Sequence, residues 1–204
     1  MKRVLDVMIA AAALLLLWPV MVIVAVAVLV DSGGPVYFRQ DRVGFGGRVF
    51  RIRKFRTLRT GPAGPLVSPS GDPRVTRVGA VLRRTKLDEL PQLLDVIEGR
   101  MSLVGPRPEV PRYVALWPED LRDVILSVRP GITDPASVAF RHESEVLAAA
   151  PDPEHFYVEV LLPEKARMYA EYVRTQSLAG DVRVIRDTLR ALIRSRAQVD
   201  QAGD

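Results

Sequence analysis

From Val4 to Val30 the chain runs through 27 residues with Asp6 as its only charge, and Pro19 stands near the middle, in Trp18-Pro19. An apolar stretch longer than about 18 residues reads as a membrane segment, so whatever the rest of the chain builds must be built beside a bilayer. Three arrangements compete. A cleavable signal peptide would use Lys2-Arg3 as its basic start and Ala25-Val26-Ala27 as its cleavage site. Its apolar part is longer than the usual ~7–15 residues, and the strongly basic sequence that follows resists translocation. A spanning helix and a re-entrant hairpin fit better. Proline removes a backbone hydrogen bond and clashes with the preceding turn, so a bend is expected at Pro19. Lys2 and Arg3 precede the segment and Arg39 and Arg42 follow it, so neither flank reads as an outside end. A helix that bends and returns to the same face satisfies both observations. Membrane helices also carry proline without turning back, so these residues alone leave both arrangements open.

The 204 residues suffice for one compact domain attached to this segment. A net charge of +5 calls for an anionic partner: a membrane surface, a nucleic acid or a phosphorylated substrate. With no cysteine, the chain has no disulfide framework, thiolate nucleophile or thiolate metal site. Residues 39–59 hold eight basic side chains against Asp41 alone. Directly after a membrane segment, such a patch suits anionic lipid at about 1 kcal/mol per basic residue, with Lys54 the residue best placed to reach a bound pyrophosphate. No nucleic-acid partner is expected, because no binding motif accompanies the patch.

The remaining pattern predicts an α+β fold, mainly helical, with residues 1–31 as a membrane helix and 32–204 as the single domain beside it. Val36-Tyr37-Phe38 and Val49–Phe55 read as strands joined by Gly44-Phe45-Gly46-Gly47, a β-hairpin. Residues 60–73 form a Gly/Pro/Ser-rich loop, either a lid or an unstructured connection. Leu90, Leu93, Leu94 and Ile97 keep helical spacing up to Gly99. Met101–Val104 is a short strand, Tyr113–Val128 a helix, and Pro163–Thr175 another. A last helix follows Gly180-Asp181, with Val182, Ile185, Leu189, Leu192 and Ile193 on one stripe and Arg183, Arg186, Arg190 and Arg194 around it. That pattern fits an amphipathic helix at a membrane interface or one packed on a core. His142 and His155 have no partners at metal spacing.

The chemistry concentrates in Arg83-Arg84-Thr85-Lys86-Leu87-Asp88-Glu89-Leu90-Pro91-Gln92. Two adjacent carboxylates follow a basic cluster. Thr85-x-x-Asp88 can be read as a helix start, but Pro91 would then lie beyond the first turn, at a cost on the order of 3 kcal/mol. A start nearer Asp88 tolerates the proline and puts Asp88 and Glu89 at a helix N-terminus. Helix N-termini beside Arg and Lys favour phosphate, and paired carboxylates can hold Mg²⁺; together they point to phosphoryl chemistry. The capped surface helix with acids in its first turn is the plainer alternative. Further on, Pro106-Arg107-Pro108 clamps one arginine in a stiff turn, which suits anion or nucleotide recognition and equally a plain proline-rich turn with a surface arginine.

Five stretches carry a resemblance: Val36–Gly44, Lys54-Phe55-Arg56-Thr57, Leu87–Gln92, Ser102–Pro108, and Arg129-Pro130-Gly131-Ile132-Thr133. In this order, behind an apolar segment with a central proline, they resemble the bacterial sugar transferase family, the monotopic polyprenyl-phosphate phosphoglycosyl transferases. The resemblance covers most of the chain up to about Thr133. It implies transfer of a sugar 1-phosphate from a UDP-sugar to undecaprenyl phosphate with release of UMP. The reaction would be the first membrane step of bacterial glycan assembly, on the cytoplasmic face of the inner membrane. It implies Asp88 as nucleophile, forming a covalent phosphosugar intermediate, Glu89 as its assistant, and Mg²⁺ at the dyad with Asp88 as ligand. Lys54 and Arg83 would contact phosphate, and Pro106, Arg107 and Pro108 would hold the nucleotide. It also implies a re-entrant hairpin at Pro19, a cytoplasmic catalytic domain over 32–204 and amphipathic interfacial helices around the active site. Besides membrane lipid, it admits downstream glycosyltransferases and a second copy of the chain as partners. Two departures stand out. Many members have Ser-Pro where this chain has Trp18-Pro19, and Gly-Trp-Ala-Gln where it has Asp134-Pro135-Ala136-Ser137. The second puts sugar specificity in question. A metal-dependent nucleotide-sugar hydrolase and a non-catalytic scaffold are the rival classes, and UMP release that depends on added polyprenyl phosphate separates all three.

Overall fold

In the computed structural model, which describes residues 1–59 and 67–200 and gives the backbone alone over 192–200, the apolar segment is one helix, α1 (Lys2–Ser32). Pro19 lies inside it, and the backbone is helical on both sides, so two separate hairpin helices are not seen. Among the described residues α1 alone is long and apolar enough to cross a membrane. Asp6, Ala10, Val24 and Val28 are buried, one stripe at helical spacing that packs on the rest of the chain. The other faces expose Met8, Leu15, Leu16, Trp18, Ile23 and Val30, an apolar surface far beyond what water tolerates on a folded domain.

After α1 comes the expected hairpin, β1 (Tyr37–Val43) and β2 (Val49–Phe55), antiparallel with Phe38 opposite Lys54. A 3₁₀ turn at Phe45–Gly47 reverses the chain, with Gly46 and Gly47 at positive φ. Thr76 then caps α2 (Arg77–Thr85), its Oγ1 accepting the Gly79 amide at 2.9 Å. A side chain at Gly79 would collide with the Thr57 backbone, so α2 lies directly on the extension of β2. Then follow α3 (Gln92–Ile97), β3 (Ser102–Val104), α4 (Pro111–Val114), α5 (Glu119–Leu126) and β4 (Gly131–Thr133). β3 and β4 pair in parallel, Ser102 opposite Gly131 and Val104 opposite Thr133. The C-terminal part is helical: α6 (Pro135–Ala139), α7 (Glu143–Ala149), α8 (Pro153–Phe156), a π-helical turn at Tyr157–Leu161, α9 (Leu162–Thr175) and α10 (Leu178–Asp200).

Three apolar clusters hold these elements. The largest gathers Tyr113, Trp117, Ile125, Leu147, Leu162 and Tyr169 among the C-terminal helices. Two smaller ones seat α1: Ala10 with Ile52, Leu93, Val96 and Met101, and Val24 and Val28 with Phe55 and Leu82. The mainly helical α+β expectation matches this arrangement. The helix expected over Tyr113–Val128 is two, α4 and α5, because Pro118 disfavours helical backbone at Trp117. α10 starts two residues before Gly180. Part of the loop over 60–73, residues 60–66, lies outside the described residues. The side chains of Leu192, Ile193 and Arg194 lie outside them as well.

Candidate active site

The acidic pair sits on a turn, not in a helix. Thr85 closes α2, its Oγ1 donating back to the Val81 carbonyl at 2.8 Å, so it is no N-cap. Lys86 takes the left-handed conformation at φ 58° and breaks the helix. A 3₁₀ turn over Leu87–Glu89 follows, and Pro91 is the residue from which α3 starts, where its missing N–H costs no internal bond. Asp88 and Glu89 are thus held one turn ahead of α3, each only 7% exposed.

Cations from two distant elements converge on Glu89. Its Oε1 accepts Lys54 Nζ from β2 at 2.7 Å and Arg107 Nη2 at 2.7 Å. Arg107 leaves β3 on a loop fixed at both prolines. The Pro106 carbonyl accepts the Gly131 amide at 2.9 Å, and the Pro108 carbonyl accepts Arg42 Nη1 at 3.0 Å. Gly105 and Gly131 touch backbone to backbone with no room for a side chain at either, which holds this loop against β4. Asp88 differs from its neighbour: its Oδ1 is buried and has no hydrogen-bond partner among the described residues.

The electrostatic states diverge accordingly. Burial pushes the Asp88 carboxyl up, Lys54 pulls it back, and the charge on Glu89 adds to the rise. Burial also acts on Glu89, but Arg107 and Lys54 outweigh it and hold its carboxyl well below the usual range. Burial lowers Lys54, with Glu89 opposing, and Glu89 fixes Arg107 in its charged form. Glu89 is therefore a saturated anion, and Asp88 is an acid left open.

Arg83 does not bond the dyad. Its Nε donates to Thr57 Oγ1 at 2.9 Å and its Nη1 to Ser68 Oγ at 2.8 Å, and Ser68 donates to Asp72 at 2.6 Å. Burial lowers its pKa, with Asp88 the foremost acid opposing, so Arg83 lies within electrostatic reach of the dyad. Lys54, Arg107, Asp88 and Glu89 are brought together; Pro106 and Pro108 act through their carbonyls; Pro19 is exposed on α1 and remote in role. Sequence reasoning missed the work of Asp134. Fully buried, it caps α6 by accepting the Ser137 amide at 2.8 Å and the Ser137 hydroxyl, and it adds to the field on Arg107. The Asp134-Pro135-x-Ser137 pattern, an acidic cap with proline at the first helical position, was the available signal.

No group of three or more His, Asp or Glu side chains that could hold a metal occurs among the described residues. Mg²⁺ commonly takes one or two carboxylates and completes its shell with water and substrate phosphate, and the unpartnered Oδ1 of Asp88 fits that donor set. A surface depression of about 610 Å³, lined by Arg39, Arg51 and Arg112, lies on the hairpin and does not include the dyad.

An acid pair of which one member is clasped by two cations, on a domain whose first helix is clad in apolar side chains, is the arrangement of an anion-handling protein at a membrane. The chain belongs to the bacterial sugar transferase family, whose model matches residues 1–195. It is 37% identical, over 94% of its length, to a UDP-glucose:undecaprenyl-phosphate glucose-1-phosphate transferase of Caulobacter vibrioides. An enzyme of the same name from Escherichia coli strain K12 is 35% identical over 91% of the chain. The UDP-N-acetylgalactosamine-undecaprenyl-phosphate N-acetylgalactosaminephosphotransferase of Aeromonas hydrophila is 36% identical over 94%. The chain spans 69% of the Caulobacter relative's own length, but 38% and 43% of the other two.

Proposed function

We propose that the chain transfers a sugar 1-phosphate from a UDP-sugar to undecaprenyl phosphate, with release of UMP, through a covalent phosphosugar intermediate on Asp88. The observation that carries this reading is the unequal state of two neighbouring carboxylates: Glu89 saturated by Lys54 and Arg107, Asp88 with a buried Oδ1 that has no hydrogen-bond partner among the described residues. An oxygen that no donor blunts is the better nucleophile. In the first half-reaction an Asp88 oxygen bonds to the phosphorus that carries the sugar. The bond from that phosphorus to the bridging oxygen breaks, and the oxygen departs with UMP. In the second, a phosphate oxygen of the lipid bonds to the same phosphorus, and the Asp88 carboxylate leaves. Lys54, Arg107 and Arg83 offset charge on the phosphate oxygens, with Arg83 held by Thr57 and Ser68. Asp88 is the side chain that fits Mg²⁺, which when bound supplies Lewis-acid screening of a diphosphate. The relatives are named for different sugars, so the reading leaves the sugar open.

A re-entrant course for α1, with the active site on the cytoplasmic face, is supported by the docking of both helix ends onto one folded body. Arg3 at one end donates to the carbonyls of Val96 and Met101. At the other, Asp31 accepts the Val78 amide at 2.9 Å. An interfacial role for α10 is supported by the exposure of Leu178, Val182 and Leu189.

Incubation with the correct UDP-sugar and Mg²⁺, without lipid, tests the chemistry. About one UMP per enzyme and a sugar-phosphate mass on the peptide bearing Asp88 are expected, the signature of two half-reactions. UMP that appears only once lipid is added, with no adduct, overturns the covalent step and leaves the transfer standing. Continuous UMP release without lipid would make the chain a hydrolase. Metal stripping with excess chelator is expected to abolish turnover; full activity under those conditions removes Mg²⁺ from the scheme.

A further inference from the structure

At the N-terminal end of α1, the helix, the hairpin turn and the segment before β4 enclose a cavity of about 290 Å³, lined by Lys2, Arg3, Asp6, Phe45, Ser102 and Arg129 among others. We propose that this cavity binds the phosphodiester headgroup of an anionic membrane phospholipid. The inference rests on α1 being membrane-embedded and is independent of the transferase chemistry.

Depth is the first argument. On α1 the exposed apolar residues begin at Val4 and Leu5, immediately beyond Arg3, and continue with Met8 and Ile9. The cavity therefore lies where acyl chains give way to headgroups. Charge is the second. Lys2 is matched, at 2.6 Å from Asp181 and 3.8 Å from Asp6, and Asp6 also accepts the Ser102 hydroxyl at 2.7 Å. The two arginines are not matched. Arg3 donates to the carbonyls of Val96, Ile97 and Met101, and Arg129 Nε to the carbonyl of Gly99 at 2.9 Å. Carbonyls accept hydrogen bonds but carry no formal charge, so among the described residues two guanidinium groups stand at one cavity with no carboxylate paired to either. The terminal nitrogens of Arg129 make no hydrogen bond among the described residues, and its guanidinium is poised 5.7 Å from the centroid of the Phe45 ring. Free terminal N–H groups on a planar fork suit two oxygens of one phosphate. Size is the third argument: the cavity lies at the small end of ligand sites, ~300–1,000 Å³, which suits a headgroup and not a whole sugar nucleotide. Arg129, in the Arg129-Pro130-Gly131 stretch, has no part in the dyad chemistry, and this assignment gives it one.

The test uses the full chain in nanodiscs of phosphatidylcholine alone or mixed with phosphatidylglycerol, followed by native mass spectrometry of the lipid retained in detergent. Wild type is expected to keep phosphatidylglycerol. Arg129→Gln should retain about fivefold less, the effect one basic residue has at an anionic surface. Arg129→Lys, which keeps the charge but loses the planar fork, should retain an amount between the two. Phe45→Ala, at the exposed turn, removes the ring without touching the Gly99 bond and should also lower retention, so the test survives if Arg129→Gln folds poorly. Arg51→Gln, on the hairpin and paired to Asp41, should match wild type. Equal retention by wild type and Arg129→Gln, or equal loss in Arg51→Gln, overturns the site. Displacement of the lipid by inorganic phosphate overturns the lipid assignment in favour of a free-phosphate site. Failure of wild type to enter phosphatidylcholine nanodiscs overturns the membrane reading and the site with it, whereas entry without phosphatidylglycerol retention overturns the site alone.

Discussion

Asp88 and Glu89 are adjacent and equally shielded, yet removing their charges should have opposite effects on stability. Asp88→Asn deletes a buried anion whose Oδ1 has no partner. The variant is expected to lose the adduct and turnover while its melting temperature stays level or rises, the pattern of a side chain kept for chemistry at the expense of stability. Glu89→Gln instead leaves the partly buried Lys54 and Arg107 beside a neutral amide. Breaking a fully buried ion pair from one side costs about 3–5 kcal/mol; Lys54 and Arg107 keep 17% and 27% side-chain exposure, so denaturant unfolding should show a smaller loss than that, with turnover severely slowed and some adduct still formed. Equal stability losses in the two variants would show that the dyad is not divided as drawn. The sequence made the acid pair legible but not this division. The partners of Glu89 are 35 and 18 residues away along the chain, and only the meeting of β2, the turn and the loop after β3 decides which cation reaches which acid.

Among the elements, prolines and caps explain most of what the pattern predicted and what it missed. The hairpin is legible because two strand-like runs flank the glycine-rich Gly44-Phe45-Gly46-Gly47 turn. The break between α4 and α5 was not read because apolar spacing continues across Trp117-Pro118 and masked the signal. β4 is three residues long, too short for any periodicity, and its place is set by Gly131 lying against Gly105. The residue pattern of α10 fits an interfacial or a core-packed helix equally, and in the structure it has both faces. Thr188 meets Thr133 at 2.7 Å and Asp181 is buried against Tyr172, while Val182 is 67% and Leu189 55% exposed. If the outer face lies in the lipid interface, a tryptophan placed there should be quenched by vesicles with brominated acyl chains. Leu189→Trp in a Trp18→Phe background is the suitable variant, because the remaining Trp117 is buried in the core. Strong quenching is expected; fluorescence unchanged by the bromolipid would mean that α10 faces water or another protein.

At the scale of the whole molecule, the question is how a helix of membrane length can belong to a single folded body. The N-terminal end of α1 is tied by Arg3 to the end of α3 and by Asp6 to Ser102 in β3. The C-terminal end is tied by Arg56, whose Nη1 donates to the Gly34 carbonyl at 2.7 Å and whose Nη2 donates to the Ser32 carbonyl at 2.9 Å. A hydrocarbon core of about 30 Å cannot separate two ends held this way without unfolding one attachment. Each attachment uses buried apolar contacts as well as hydrogen bonds. On the proposed re-entrant reading, these attachments would hold both ends of α1 on one side of the bilayer, and Pro19 would supply a site where the helix can bend. Because the chain has no cysteine, single cysteines report position cleanly. At Lys2 and at Arg48 on the hairpin turn, both are expected to resist an impermeant thiol reagent in intact cells and to react after permeabilisation. Labelling of either one in intact cells would sink the re-entrant arrangement. Pro19→Ala should stiffen the helix and set it against the two attachments. A fraction of molecules labelled at Lys2 from outside, together with a lower melting temperature, is then expected, since a straight span can form only by releasing the contacts at one end of α1.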